Sequence, residues 1–456
     1  MSGKPAAKSI PILAALSRRV LITGVGPITA FGLGIEPLWN ALVAGQSAIR
    51  PIARFDASGF GCRIAAELAD ELFDVKTIVP KSYRKATKVM ARDIELAVGA
   101  AATAVADAGL VTRASEGSAA PTIDPARIGA HIGAGLIATD SDELTLALAS
   151  ARAADGSFDI ATWGRTGMTN LTPLWLLKYL PNMLACHVTI IHDCQGPSNT
   201  ITCAEASSAL SLGESMRVIE RGDADACLSG GAETKVHLMG LLRQQFSHRL
   251  VTGGDAASQL GAVRPFDPSS RGTALGEGGG ILVLEAESTA TARGASVYAE
   301  LAGFGASQNL NPDTVGLVME PDGETLSWAV ESALEDAGLA ATEIDAIVPF
   351  GSGIVDSDRC EAAAIRRVFG ERAASIPVVA VVPFVGNCCA GSAAVAAAVA
   401  AKCLREQRLP ARLNSASTPG LLAAAGPSQP AALRNILVMT TSLGGQNAAI
   451  VLRRHS

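Results

Sequence analysis

Apolar positions along the chain fall into short β-branched runs separated by stretches of helical period. The first run, Arg19-Val-Leu-Ile-Thr-Gly-Val-Gly, is closed by glycines and precedes a helix predicted over Glu36 to Gly45. Further strands are predicted at Ile128–Gly133, Ala224–Gly231, Gly280–Glu285, Val297–Ala302, Ala346–Phe350, Val378–Val382 and Ile436–Thr440. Between them, Lys88–Gly109, Ala206–Gly222, Gly323–Gly338, Arg359–Gly370 and Ala390–Arg405 carry the 3.6-residue period of helices with one buried face. Alternation of this kind predicts α/β layers with parallel sheets covered on both faces. The pattern makes two comparable passes with a seam after Glu285, giving halves at 19–285 and 286–456 behind a leader at 1–18. Thr112–Pro125 and Asn414–Pro430, rich in Ser, Ala, Gly and Pro, read as exposed loops.

Composition narrows the class. At 456 residues with 48% hydrophobic but only 4% aromatic residues, the chain suits close helix-on-sheet packing by small side chains. A net charge of −6 gives no general basic face, so nucleic acid is not expected as a partner. The nine cysteines have neither zinc spacing nor the density of a secreted scaffold, so no metal or other cofactor is expected, and a reducing cytoplasm is the expected compartment. No run reaches the ~20 apolar residues of a membrane span.

Several segments, in order along almost the whole chain, resemble the β-ketoacyl synthase (ketosynthase) family. They are RRVLITGVGPITAFGLGIEPLWNALVAGQSAIRPIARFD from Arg18, GDADACLSGGAE from Gly222, RPFDPSSRGTALGEGGGILVLE from Arg264 and SLGGQNAAIVLRR near the C-terminus. The resemblance implies a thiolase fold, a duplicated five-layered αβαβα architecture, dimeric and acting on acyl chains borne by an acyl carrier protein. Family catalysis uses a Cys at a helix N-terminus, two His and a Lys. The helix end lowers the thiol pKa so that the sulfur takes the acyl group, and the imidazoles steady the oxyanion formed on decarboxylation.

Carried onto this chain, each of the four catalytic slots holds another residue. GPSNTITCAEASSALSLGE from Gly196 aligns without a gap and puts Glu205 in the Cys slot. Cys203, two residues earlier, falls back in the strand before the turn and reads as a small buried hydrophobe. Phe350 stands in the first His slot, ahead of the acidic Asp358; Val382 stands in the Lys slot and Asn387 in the second His slot. A carboxylate cannot form the thioester, and Asn387 alone offers no paired donors for an enolate oxygen. The chain is thus similar to the chain length factor subunits that pair with an active ketosynthase in type II polyketide synthases and have no activity alone. Those usually carry Gln in the Cys slot, so Glu205 leaves open the aromatic-polyketide, polyene and specialised fatty-acid branches. A malonyl-carrier-protein decarboxylase and a homodimeric acyl-binding scaffold are the alternatives.

The same resemblance marks tunnel and interface positions. Trp175 stands where a family side chain reaches across the dimer, or is an ordinary interface aromatic. Leu136 falls at a tunnel-lining place, and Thr139, Asp140 and Glu143 share a face of the predicted following helix, as tunnel residues or as a solvated turn. Leu443 occupies the place of the family's gate Phe. Lys81, Arg84, Lys85 and Lys88, with Arg92, fall on one helical face that suits an acidic carrier protein, or form a solvated charged face.

Overall fold

The structure, a computed structural model, describes residues 18–115, 117, 120–309 and 319–455. The expected leader, apart from Arg18, and part of the loop at 112–125 lie outside the described residues.

Among the described residues, nine principal strands build the fold. In the first half they are β1 (Val20–Thr29), β2 (Ile128–Gly133), β3 (Ser198–Ile201), β4 (Ala226–Thr234) and β5 (Leu275–Ala286). In the second they are β6 (Ala299–Gln308), β7 (Ala346–Pro349), β8 (Asn435–Thr441) and β9 (Gln446–Arg453). The hydrogen-bonded order is β3-β2-β4-β5-β1 and then β6-β9-β8-β7. Val378 adds a parallel bridge to Ile347 on β7. Read by chain position, both halves therefore run third, second, fourth, fifth, first. This repeated order is the duplication that the two passes of the sequence pattern implied.

Helices α1 (Ile35–Ala44), α2 (Arg92–Asp107), α3 (Ser141–Ala149), α4 (Met183–His192) and α5 (Ser207–Glu220) belong to the first half. They are followed by α6 (Leu238–Phe246), α7 (Glu324–Asp336), α8 (Val355–Phe369) and α9 (Ser392–Glu406). Helices α2 and α4 cover the outer face of the first sheet, α5 and α9 lie between the two sheets, and α7 and α8 cover the outer face of the second. The five αβαβα layers follow. Along β8, Ile436 and Val438 face the middle layer while Leu437 and Met439 face the outer one, so period-two alternation buries every position. The alanines of α9 leave room for a helix that is buried all round.

Three local expectations are corrected. The sheets are mixed: β2 runs parallel to β3 and β4, and β7 to β8, whereas β5 and β6 run antiparallel to β1. One cause is local, because β8 and β9 are joined through Gly444 and Gly445, both at positive φ, in a tight antiparallel hairpin. The run Val378–Val382 forms no strand beyond the single bridge; it turns into a one-turn helix at Val382–Val385, with Pro383 in the first turn. Finally, the helix predicted from Lys88 begins at Arg92, and Lys81–Val89 forms a 3-10 helix.

Among the described residues, no helix is long and apolar enough to cross a membrane.

Candidate functional site

The elbow between β3 and α5 is built by close backbone approach. A Cβ on Gly133 would lie 2.6 Å from the amide nitrogen of Ser208, so only glycine lets β2 pass under the start of α5. The chain turns at Ala204, φ 47°, enters one turn of 3-10 helix at Ala204–Ala206 and continues as α5. An equivalent turn in the second half has Cys389 at φ 48°, leading through Cys389–Gly391 into α9.

Glu205 sits at the first elbow and is 3% exposed. Its Oε1 accepts a hydrogen bond from Arg249 Nη1 at 2.8 Å and a long one from Asn387 Nδ2 at 3.4 Å. Arg249 is itself buried, delivered by the segment after His248, which has φ 57°. The pair is monodentate, for Glu205 Oε2 and Arg249 Nη2 are buried without partners. Arg249 supplies the countercharge to the Glu205 carboxylate. Sequence reading missed Arg249, because SHRLV carries no motif; a basic residue able to answer an acid in a closed slot was the only available signal.

The other slots are apolar or already engaged. Phe350 and Val382 belong to one buried cluster with Leu250, Val251 and Leu275, and neither side chain can donate a hydrogen bond. Asn387 is held from both sides: its Oδ1 accepts from Cys389 N at 2.8 Å, and its backbone bonds to Ala274 and Gly276. The turn at Phe350–Gly353 is retained and tied down by two buried carboxylates. Glu361 accepts from the N–H groups of Phe350 and Gly351 at 2.9 and 2.8 Å, while Asp358 accepts from Ser352, Gly353 and Phe266. Burial raises Asp358 to about 7 and Glu361 to about 8.

Cys203 departs from its expected place. It follows the end of β3 rather than lying within the strand, is half-buried, and has a thiol pushed up by desolvation. Nothing there activates a thiolate.

Of the expected tunnel residues, Thr139 and Asp140 line a cleft of about 540 Å³ together with Lys178, Tyr179, His237 and Met239, among others, whereas Leu136, Glu143 and Trp175 are not part of its lining. Thr139 and Asp140 lie before α3, not on it. Asp140 is the N-cap and accepts from Asp142 N, so the shared helical face is corrected by a capping turn. Glu143, on α3, is partly exposed, its side chain 35% accessible. Burial opposes its charge, but Lys178 and the Tyr179 hydroxyl bind it and hold it below the usual range. Leu136 is exposed, its carbonyl accepting from Lys235 Nζ at 2.7 Å. Lys235 pairs with buried Glu233, and Asp93, also buried, bonds to Thr234 N; desolvation raises Asp93 to about 7 despite Lys235. Sequence reading missed these three groups too.

Trp175 is half-buried in a 3-10 turn, Trp175–Tyr179, with its ring 5.4 Å from that of Tyr179. Its indole N–H is buried without a partner. Leu443 lies half-buried between β8 and β9. Lys81, Arg84, Lys85 and Lys88 are all exposed, but on a 3-10 helix of three residues per turn they do not form the expected α-helical stripe. Arg92 leaves the group altogether, since its guanidinium bonds to Glu277 at 2.5 Å.

Comparison with known proteins agrees with this architecture. Residues 17–290 match the family model for the β-ketoacyl synthase N-terminal domain, and residues 298–416 that for its C-terminal domain. The chain is 30% identical over 446 residues to a 3-oxoacyl-[acyl-carrier-protein] synthase 2 of Coxiella burnetii, covering 96% of this chain and 99% of that one. Against the protein of the same name from Staphylococcus aureus strain COL it is 28% identical over 441 residues, covering 96% and 99%. Among solved structures, the ishigamide ketosynthase/chain length factor superposes with a TM-score of 0.79 at 28% identity, over 96% of this chain and 100% of that one. A β-ketoacyl synthase from Burkholderia phymatum STM815 gives 0.79 at 27% identity, with the same coverage. With both domain models matched along a duplicated thiolase fold, the chain belongs to the β-ketoacyl synthase family.

Proposed function

We propose that this chain is the non-catalytic, chain-length-factor-like member of a heterodimer with an active ketosynthase, working in type II polyketide or related polyene or fatty-acid synthesis. The observation that carries the reading is the buried Glu205–Arg249 pair at the elbow. A carboxylate held by a guanidinium cannot accept an acyl group as a thioester. Phe350 and Val382 pack as core, and Asn387 already serves its own turn, so charge developing on a substrate oxygen would meet no paired donors.

The need for a partner is supported by the outer surface of the first half. Leu146, Phe158, Ile160, Leu174, Leu176 and Ile190 are all exposed, and β3 is an edge strand. Exposed apolar side chains and an unpaired strand edge suit burial against another chain. In that assembly the partner carries out the chemistry, while this chain closes one side of the acyl tunnel. Chain length can then be set sterically, because each further methylene gains about 0.8 kcal/mol on burial until a side chain blocks it. Leu136, Thr139, Asp140, Glu143 and Trp175 are the proposed lining, 19–285 and 286–456 the two halves, and the cytoplasm the proposed compartment.

The test is co-expression with a cognate ketosynthase. A stable heterodimer is expected, with no condensation of malonyl and acyl carrier-protein substrates by this chain alone. In that heterodimer Trp175→Ala should lengthen the products. An acyl adduct on this chain, or self-association that excludes the ketosynthase, would refute the reading; unchanged product length would remove Trp175 from it.

A further inference from the structure

The cleft beside α3 and α6 is left unused by the closed elbow. Its volume of about 540 Å³ is that of a site for a small organic ligand. Among the described residues, each Arg or Lys in its wall is already paired, Arg54 and Arg92 with Glu277 at 2.9 and 2.5 Å and Lys178 with Glu143. Asp140 and Asp142 are exposed there without an ion pair, so a carboxylate or phosphate would meet repulsion. What stays open to a ligand is uncharged. His237 Nδ1 accepts from Gly240 N at 3.1 Å as the N-cap of α6, which puts the ring proton on Nε2. Desolvation, with Lys235 and Arg243 nearby, lowers this imidazole to about 4 and keeps it neutral. Among the described residues its Nε2–H finds no acceptor, and the Thr139 hydroxyl has no partner. Asp93, in the same wall, has Oδ1 engaged by Thr234 N; desolvation holds its proton to about pH 7, so below that it donates too. Phe55, Met90, Val236 and Met239 supply apolar wall.

We propose that this cleft receives an uncharged acyl chain bearing keto oxygens along its length, in preference to a saturated or polyene chain, which presupposes that this protein closes one side of an acyl tunnel. Keto oxygens only accept hydrogen bonds, and the groups left open here can donate them. A hydrocarbon covering His237 Nε2 would strand a donor away from water, whereas a keto oxygen answers it. Each condensation leaves a keto group, so a chain passed on without reduction carries acceptors on alternate carbons, while the methylenes between them meet the apolar wall.

The test is calorimetric titration of the full chain with two pantetheine amides of equal carbon number, one saturated and one with keto groups on alternate carbons. The keto amide is expected to bind about tenfold more tightly. In His237→Asn, which can still cap α6 through its side-chain oxygen but lacks Nε2, that preference should fall to about twofold or less, with the affinity for the saturated amide unchanged. No binding of the keto amide, equal affinity for both, or a preference that survives in His237→Asn overturns the proposal. Should the variant fail to fold, a crystal structure of the wild type with the keto amide decides: a chain oxygen at hydrogen-bond distance from His237 Nε2 is expected, and a ligand lying elsewhere refutes the assignment. Native mass spectrometry with the ketosynthase scores the heterodimer separately. A heterodimer without the keto preference removes this inference and leaves the proposed function standing, whereas the preference without a heterodimer keeps the cleft as a keto-chain site and removes that function.

Discussion

Replacing Arg249 by Met would expose what the elbow depends on. Glu205 and Arg249 are 3% and 8% exposed, and among the described residues the only other donor to the carboxylate is Asn387 at 3.4 Å, at the weak end of hydrogen bonding. Two unit charges about 4 Å apart attract by about 4 kcal/mol at an effective dielectric of 20. Removing one partner of such a pair costs about 3–5 kcal/mol, because the other stays buried and uncompensated. Arg249→Met should therefore lower unfolding stability by about 3 kcal/mol or more. Glu205→Met strands Arg249 in the same way. The double variant behaves differently: Oε2 and Nη2 are unsatisfied in the wild type, so replacing both charges by apolar groups of similar length removes two desolvated groups together. Its stability should lie within about 1 kcal/mol of wild type or above it. The assay is urea unfolding of all four proteins, treated as a double-mutant cycle. A single-variant loss within about 0.5 kcal/mol, as at a surface site, or a double variant that simply sums the two losses, would refute the buried pair.

Three other outcomes are expected. Glu205→Cys should yield a protein that still forms no carbon–carbon bond from malonyl and acyl carrier-protein substrates, because Phe350 and Val382 supply neither imidazole nor ammonium; measurable condensation would contradict the account of the site. Asp93 is raised to about 7, above the unfolded range near 4, so the folded state holds the extra proton between those values. Stability from this group is full below about pH 4 and lost as pH rises through about 7; the urea midpoint should fall from pH 5 to 8, and fall less in Asp93→Asn, with an equal slope in both counting against the assignment. Reversing the exposed charges of Lys81, Arg84, Lys85 and Lys88 to Glu should slow association of an acidic carrier protein with the heterodimer about tenfold or more at low salt, and the difference should fade at high salt. Stopped-flow measurement that finds the two rates equal at low salt would assign the docking site elsewhere.

The sequence alone determined the layered α/β class, most of the strands and helices, and the resemblance that places Glu205, Phe350, Val382 and Asn387 at the family's four catalytic slots. These depend on local signals: β-branched runs, helical periods and glycine turns at fixed spacing from the elbow. That is why β2 at Ile128–Gly133 was legible to the residue while the ends of other elements drifted. Strand direction, the capping role of Asp140 and the inward turn of Arg92 were decided only by tertiary structure. Each rests on partners far along the chain or on a backbone turn that periodicity does not encode. The same holds for the Glu205–Arg249 and Glu233–Lys235 pairs. A charge in a sequence has no environment until folding removes the water around it, and what then compensates it is fixed by whichever segments meet there.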